Sequence, residues 1–168
     1  MGDRHHTLLL LRHAKSAWPE GVVDRDRPLA PRGVREAGLA GEWLRANFPR
    51  IDRVLCSTAT RARETWARAA IQAPVRFVER LYGASPETVI DELNRVEEQV
   101  NSLLVIGHEP TTSAVALRLG GAEGTDNGVV ERVSAKFPTS AIAVLQVPGR
   151  WQDLHWGGAA LVGFHVPR

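Results

Sequence analysis

Cysteine is nearly absent from this chain: Cys56 stands alone among 168 residues. No internal disulfide can form, and a reducing, cytoplasmic setting is the expectation. Long apolar runs are missing too. The longest early one, Thr7 to Leu11, is far too short for a signal-peptide core or a membrane span, so no membrane association is expected. Basic runs are also missing. Only Lys15 and Lys136 are lysines, the other 19 of the 21 basic residues are arginines, and 19 acids are spread among them. A nucleic-acid binder would show a basic stripe with interleaved aromatics, so no nucleic-acid partner is expected.

No repeat, linker or low-complexity tract divides the chain. With 43% hydrophobic residues, it has the composition of a folded chain, and a chain of this size buries about 70% of the surface it exposes when unfolded. The length suits one domain spanning residues 1–168.

Periodicity supplies the architecture. Thr7 to Leu11 is a continuous apolar run, as in a strand buried on both faces. A polar, proline-bearing stretch follows from Ala14 to Pro31. Val34, Ala37, Gly41, Leu44 and Phe48 recur at helical spacing until Pro49. Val54-Leu55-Cys56 reads as a strand, and Ala59, Ala62, Trp66 and Ala69 mark a helix that stops before Pro74. Val75 to Val78 is a short strand, and Val89, Leu93, Val96 and Val100 line one helical face. Leu103 to Ile106 is the cleanest strand, Thr111 to Leu119 a helix, and Ala122 to Gly128 a loop. Ala141 to Val147 and Trp151 to Trp156 read as a hairpin turning at Pro148-Gly149-Arg150. Alternating strands and helices predict an α/β fold: a three-layer αβα sandwich, mostly parallel, with an antiparallel C-terminal hairpin.

In open α/β sheets ligands bind beyond the carboxyl ends of the strands. Arg12, His13, Lys15 and Ser16 follow the first predicted strand, Ser57, Thr58 and Arg61 the second, and Gly107, His108 and Glu109 the fourth. Two histidines and two arginines would thus converge from three strand ends. Arginine grips phosphate oxygens with a planar fork and keeps its charge. Histidine can attack phosphorus and carry a phosphoryl group. A second histidine, if protonated, would balance charge on the equatorial oxygens in the transition state. Ser57, Ser16 and Lys15 would add donors suited to an anion.

Leu11-Arg12-His13-Ala14-Lys15-Ser16 resembles the signature of the histidine phosphatase superfamily, and more narrowly that of its small bacterial phosphohistidine phosphatases. Asp26-Arg27-Pro28-Leu29 with Gly33, Ser57-Thr58-Ala59-Thr60-Arg61 with Thr65, Val105 to Pro110, and Phe137-Pro138-Thr139 are similar to further blocks of that family, in order. The resemblance implies that His13 is the phosphorylated nucleophile and that Arg12, Arg61 and His108 complete the catalytic phosphate pocket. It also implies a phosphorylated protein, or a small phosphorylated molecule, as substrate. Two departures stand out. Ala30 replaces the usual polar cap of the helix that carries Gly33. The acid expected after the third strand has no counterpart, since Glu79 precedes Leu81. That second departure argues against release of an alcohol.

The remaining polar residues read more simply. Asp24 and Asp26 are loop and turn groups, with a lesser case for orienting substrate. Cys56 is a small buried hydrophobe. Trp43 and Trp66 fall on apolar helical faces, while Trp18 either covers the pocket or packs on the surface. No spacing of His, Cys, Asp or Glu suggests a metal site; neighbouring His5 and His6 would point to opposite faces of a strand. No cofactor is expected.

Overall fold

The computed structural model of the protein describes residues 5–168. Its centre is a six-stranded sheet in the order β3-β2-β4-β1-β5-β6. The strands are β1 (His5–Arg12), β2 (Arg53–Ser57), β3 (Val75–Val78), β4 (Ser102–Gly107), β5 (Ile142–Pro148) and β6 (Ala160–His165). The first four pair in parallel, whereas β5 runs antiparallel to β1 and β6 antiparallel to β5.

Side-chain alternation in β1 divides the interior into two cores. Leu9 and Leu11 pack with Ala40 and Leu44 of α1 (Pro31–Asn47) and Ala62 and Ala69 of α2 (Thr60–Ala69). Leu8 and Leu10 pack on the opposite face with Leu93 of α3 (Pro86–Asn94), Val115 and Leu119 of α4 (Thr111–Leu119) and Val133 of α5 (Asn127–Ala135). The continuous Leu8–Leu11 run is apolar at every position because helices cover both faces.

Two glycines set how closely the first of these layers packs. A Cβ at Gly33 would overlap the carbonyl oxygen of Lys15, and one at Gly41 the carbonyl oxygen of Ala69. Glycine therefore lets α1 press against both the loop after β1 and the end of α2. Helix α1 starts at Pro31 with Ala30 as an N-cap that makes no side-chain hydrogen bond.

Three elements differ from the sequence reading. Trp151 to Trp156 is not a strand: Trp151–Asp153 forms a 3-10 turn in which the buried Trp151 donates its indole N–H to the Val100 carbonyl at 2.8 Å. The antiparallel partner of β5 comes later, as β6. The third helix ends at Asn94, whose side-chain amide donates to the carbonyls of Trp151 and Leu154 at 2.9 and 3.0 Å. Val96 and Val100 lie beyond that helix, with Val100 still in the core. Helix α5 lies outside the elements that periodicity predicts. Asp126 caps it, accepting from the amides of Gly128 and Val129 at 2.9 and 3.2 Å, and it begins inside the segment read as a loop.

Trp43 and Trp66 are half-buried at the margin of their core. Trp43 stacks on His165, and Trp66 meets Phe77 edge-on. Cys56 is fully buried, and burial pushes its thiol up to about 12. Among the described residues no helix is long and apolar enough to cross a membrane.

Candidate active site

Register aligns the three strand ends that carry the chemistry. Arg12 stands opposite Gly107, while Leu11 and Cys56 both pair with Ile106. The residues that follow β1, β2 and β4 thus emerge at one level, from three adjacent strands. The chain crosses over in opposite directions on either side of this point, where open α/β sheets form their binding crevice. The His13 amide donates to the Gly107 carbonyl at 3.0 Å, and the Ala14 amide to Thr65 Oγ1 at 2.9 Å. These bonds tie the loop after β1 to both β4 and α2.

His13 is buried, and its Nδ1 lies 2.8 Å from the carbonyl oxygen of Ala14. A carbonyl only accepts, so Nδ1 carries the proton and Nε2 presents its lone pair. Burial pushes the imidazole down to about 3, with smaller contributions in the same direction from His108, Arg61 and Arg12. His13 is neutral at physiological pH. The ring of His108 sits 5.2 Å from it, centroid to centroid. His108 Nε2 lies 2.7 Å from Ser57 Oγ, while its buried Nδ1 has no partner among the described residues. Burial, followed by the charge of Arg61, pushes His108 down to about 4. From sequence the protonation of this second histidine is open; burial and the Arg61 charge favour its neutral ring.

The arginines are anchored from behind. Arg12 Nη1 donates to the Phe137 carbonyl at 2.9 Å, which assigns a structural task to the Phe137-Pro138-Thr139 segment. Arg61, buried in the first turn of α2, donates from Nη1 to the Asp24 carbonyl at 2.7 Å and from Nη2 to the Asp24 carboxylate at 3.1 Å. The Nε of each arginine is buried and unpartnered among the described residues.

Of the residues proposed from sequence, Arg12, His13, Ser57, Arg61 and His108 come together. Ser57 engages His108 and also accepts from the Ala59 amide at 3.2 Å. Ser16 stands further back: its buried hydroxyl accepts from Arg27 Nη1 at 2.6 Å. Lys15 is exposed, and its side chain makes no polar contact among the described residues.

The sequence reading undervalues Asp24, gives Arg27 no role beyond its place in a family-like block, and misses Tyr82. The Asp24 carboxylate accepts from Tyr82 Oη at 2.6 Å, from Arg61, and from Arg27 Nε at 3.1 Å. The Tyr82 bond, reinforced by the two arginines, holds that carboxyl down at about 2. Tyr82 also meets the His108 ring edge-on. The Asp-x-x-Arg spacing from Asp24 to Arg27 was the available signal, but it needed Arg61 and Tyr82 from distant segments to acquire meaning. Among the described residues, no three His, Cys, Asp or Glu side chains cluster as metal ligands.

A pair of neutral imidazoles flanked by the half-buried Arg12 and the buried Arg61 at aligned strand ends is an anion site with a nucleophile in it. The model of the histidine phosphatase superfamily (branch 1) matches residues 8–85, which include Arg12, His13 and Arg61. The structure of a candidate phosphohistidine phosphatase SixA from Nakamurella multipartitia is 38% identical, with a TM-score of 0.88 over 97% of this chain and 96% of the other. The chain belongs to the histidine phosphatase superfamily. A candidate phosphohistidine phosphatase SixA from Agrobacterium tumefaciens is 30% identical, with a TM-score of 0.79 over 96% and 98% of the two chains. A Mycobacterium tuberculosis protein described as uncharacterized is 67% identical over 158 residues, covering 94% of this chain and all of the relative. His108 lies outside the segment matched by the superfamily model. Its place beside His13 comes from the pairing of β4 with β1.

Proposed function

We propose that this histidine phosphatase superfamily member removes the phosphoryl group of phosphohistidine on a protein, through a covalent phospho-His13 intermediate. The observation that carries the reading is the His13 tautomer: Nδ1–H is tied to the Ala14 carbonyl, and a neutral Nε2 is left as nucleophile beside two arginines. Nε2 attacks phosphorus and the P–N bond to the substrate breaks. The free ring nitrogen of the substrate takes a proton from water, so a neutral imidazole departs. Water then attacks phosphorus, the P–Nε2 bond breaks, and inorganic phosphate is released.

The site suits this order of events. Arg12 and Arg61 supply permanent positive charge for the equatorial oxygens, and the negative charge of an arriving phosphate opposes the burial, and after it the arginine charge, that keep His108 neutral. When Ser57 donates to His108 Nε2, the Nδ1–H of His108 is left without an acceptor, a donor suited to a phosphoryl oxygen. Carboxylic acids available for protonating an alkoxide are scarce. Glu79 is bound by Arg25 and Thr58, and Glu87 is paired with Arg118 at 2.9 Å. The two similar SixA structures, each named for phosphohistidine, support the substrate class.

One feature favours a second reading, a phosphomonoesterase acting on a small metabolite. A largely apolar cavity of about 320 Å³ opens beside His108, between Leu81, Ala84, Val89 and Thr111. It has room for a small leaving group. The carboxylate that lines it, Glu109, already accepts from the amide and hydroxyl of Ser113 at 2.6 and 2.7 Å, which leaves it poorly placed as an acid.

Rapid neutral-to-alkaline quench after mixing with labelled phosphohistidine tests the proposal. The expected product is an acid-labile, base-stable phosphoprotein labelled on His13, absent in His13→Ala. Label on His108 with His13 unmodified reverses the roles. Turnover of metabolite esters with none of phosphohistidine establishes the second reading.

A further inference from the structure

The exposed large hydrophobic side chains among the described residues all fall in one short stretch: Trp18, Val22 and Val23, which are 75%, 38% and 64% exposed. Surface apolar residues scattered singly need no explanation, but three within six positions beside a functional site do. The stretch is physically joined to the phosphate pocket. The Arg27 guanidinium lies 3.5 Å from the Trp18 ring centroid. The same guanidinium holds the Ser16 hydroxyl and the Asp24 carboxylate, and Asp24 in turn holds Arg61. Trp18 is thereby linked to the pocket through Arg27 and Asp24, with most of its side chain in water.

A small phosphorylated molecule seated between His13 and the arginines leaves this rim of residues 18–23 uncovered. A phosphorylated side chain on a larger body brings its neighbours onto it. Charge narrows the choice further. Within residues 17–26, Arg25 is committed to Glu79 and Asp24 to Arg61, Arg27 and Tyr82, which leaves the acids Glu20 and Asp26. Such a rim repels an anionic lipid surface and suits apolar contacts with basic groups around them.

We infer that Trp18, Val22 and Val23 form a docking surface for the protein substrate, contacting apolar residues that flank its phosphohistidine, with basic residues at the periphery. This inference rests on the phosphohistidine reading above. The rim sets specificity by binding, and the pocket does the chemistry, so the two separate kinetically. Contacts of this kind are worth roughly tenfold in kcat/KM.

The test uses the full chain and three probes: free phosphohistidine, a phosphohistidine peptide flanked by leucines and a lysine, and the same peptide with serines in place of the leucines. The wild type should prefer the leucine peptide over the serine peptide by roughly tenfold. Val22→Ser with Val23→Ser, and separately Trp18→Ser, should erase that preference while free phosphohistidine is cleaved at the wild-type rate. A preference that survives in both variants overturns the docking surface. Equal losses on all three probes overturn it as well, because the stretch would then be supporting the pocket. Sedimentation with anionic phospholipid vesicles that depends on Trp18 would assign the rim to a membrane instead. If the wild type cleaves no phosphohistidine probe, the underlying functional reading fails first, a result distinct from intact cleavage without flank preference.

Discussion

Arg25 grips the Glu79 carboxylate with both terminal nitrogens, and Thr58 donates to the same carboxylate at 2.8 Å. Glu79 is the acid nearest the position where mutase and phosphomonoesterase relatives are expected to carry a proton donor. The Arg25 hydrogen bonds, followed by that of Thr58, hold it down at about 2. It stays ionised at any working pH and has no proton to give.

Glu79→Gln should therefore change kcat/KM on phosphohistidine by less than about twofold, well below the 10²–10⁴-fold that a general acid contributes. Across a series of substrates, the rate should fall steeply as leaving-group pKa rises, with aryl phosphates far ahead of sugar or glycerate esters. A flat series, or a selective collapse of alkyl-ester turnover in Glu79→Gln, would reveal a working acid and move the substrate assignment to metabolites.

The two histidines make a pH prediction. Both are depressed from an unfolded value of about 6.5, His13 to about 3 and His108 to about 4. In ring-nitrogen NMR titrations of the unliganded protein, both should stay neutral from pH 8 down to about pH 5. Between the folded and unfolded values, the unfolded chain binds more protons, so stability rises with pH across that window and is lost as pH falls below 6.5. His13→Phe should flatten part of this slope in denaturant-melt series taken from pH 4 to pH 7. A His13 that titrates near 6.5 in the folded protein would contradict the assignment.

Gly33→Ala should destabilise the protein and slow it. The added Cβ overlaps the Lys15 carbonyl oxygen, so α1 has to withdraw from the loop that carries His13. Overpacking of this kind costs about 1–3 kcal/mol, and each kcal/mol lowers Tm by roughly 2–4 °C at this chain length. Gly38→Ala, where nothing lies near the new methyl, is the control and should hold or raise Tm. Equal melting behaviour of the two variants would show that the close approach is not needed.

Turnover should survive exhaustive dialysis against a strong chelator. Arg12 and Arg61 supply the charge that a metal ion would otherwise bring to a phosphoryl group. Activity lost on chelation and restored only by a divalent cation would require a different mechanism.

Much of the fold was legible because its signals are local. Thr7 to Leu11 and Leu103 to Ile106 read as buried strands from their apolar continuity alone, and both lie inside observed strands. The C-terminal region was harder. Trp151 reads as a strand residue because it follows the Pro148-Gly149-Arg150 turn, but it is buried in a 3-10 turn by bonding to Val100, some fifty residues earlier in the chain. Strand β6 contains Gly163 and a two-residue glycine pair precedes it, which hid its pattern.

Residue order alone sets which groups are available for chemistry. Arg12, His13, Arg61 and His108 follow recognisable strand and helix signals, and each type carries its phosphate chemistry whatever the fold. Tertiary structure decided their state and their connections. His13 is neutral because burial removes water from its ring, and its proton sits on Nδ1 because the Ala14 carbonyl is within reach. Ser57 serves His108, Glu79 is held ionised by Arg25, and Asp24 links Arg61, Arg27 and Tyr82 across as many as 58 residues of chain. Burial and long-range hydrogen bonds depend on which segments become neighbours. Local periodicity carries no record of that, because it reports only which face of each element is apolar.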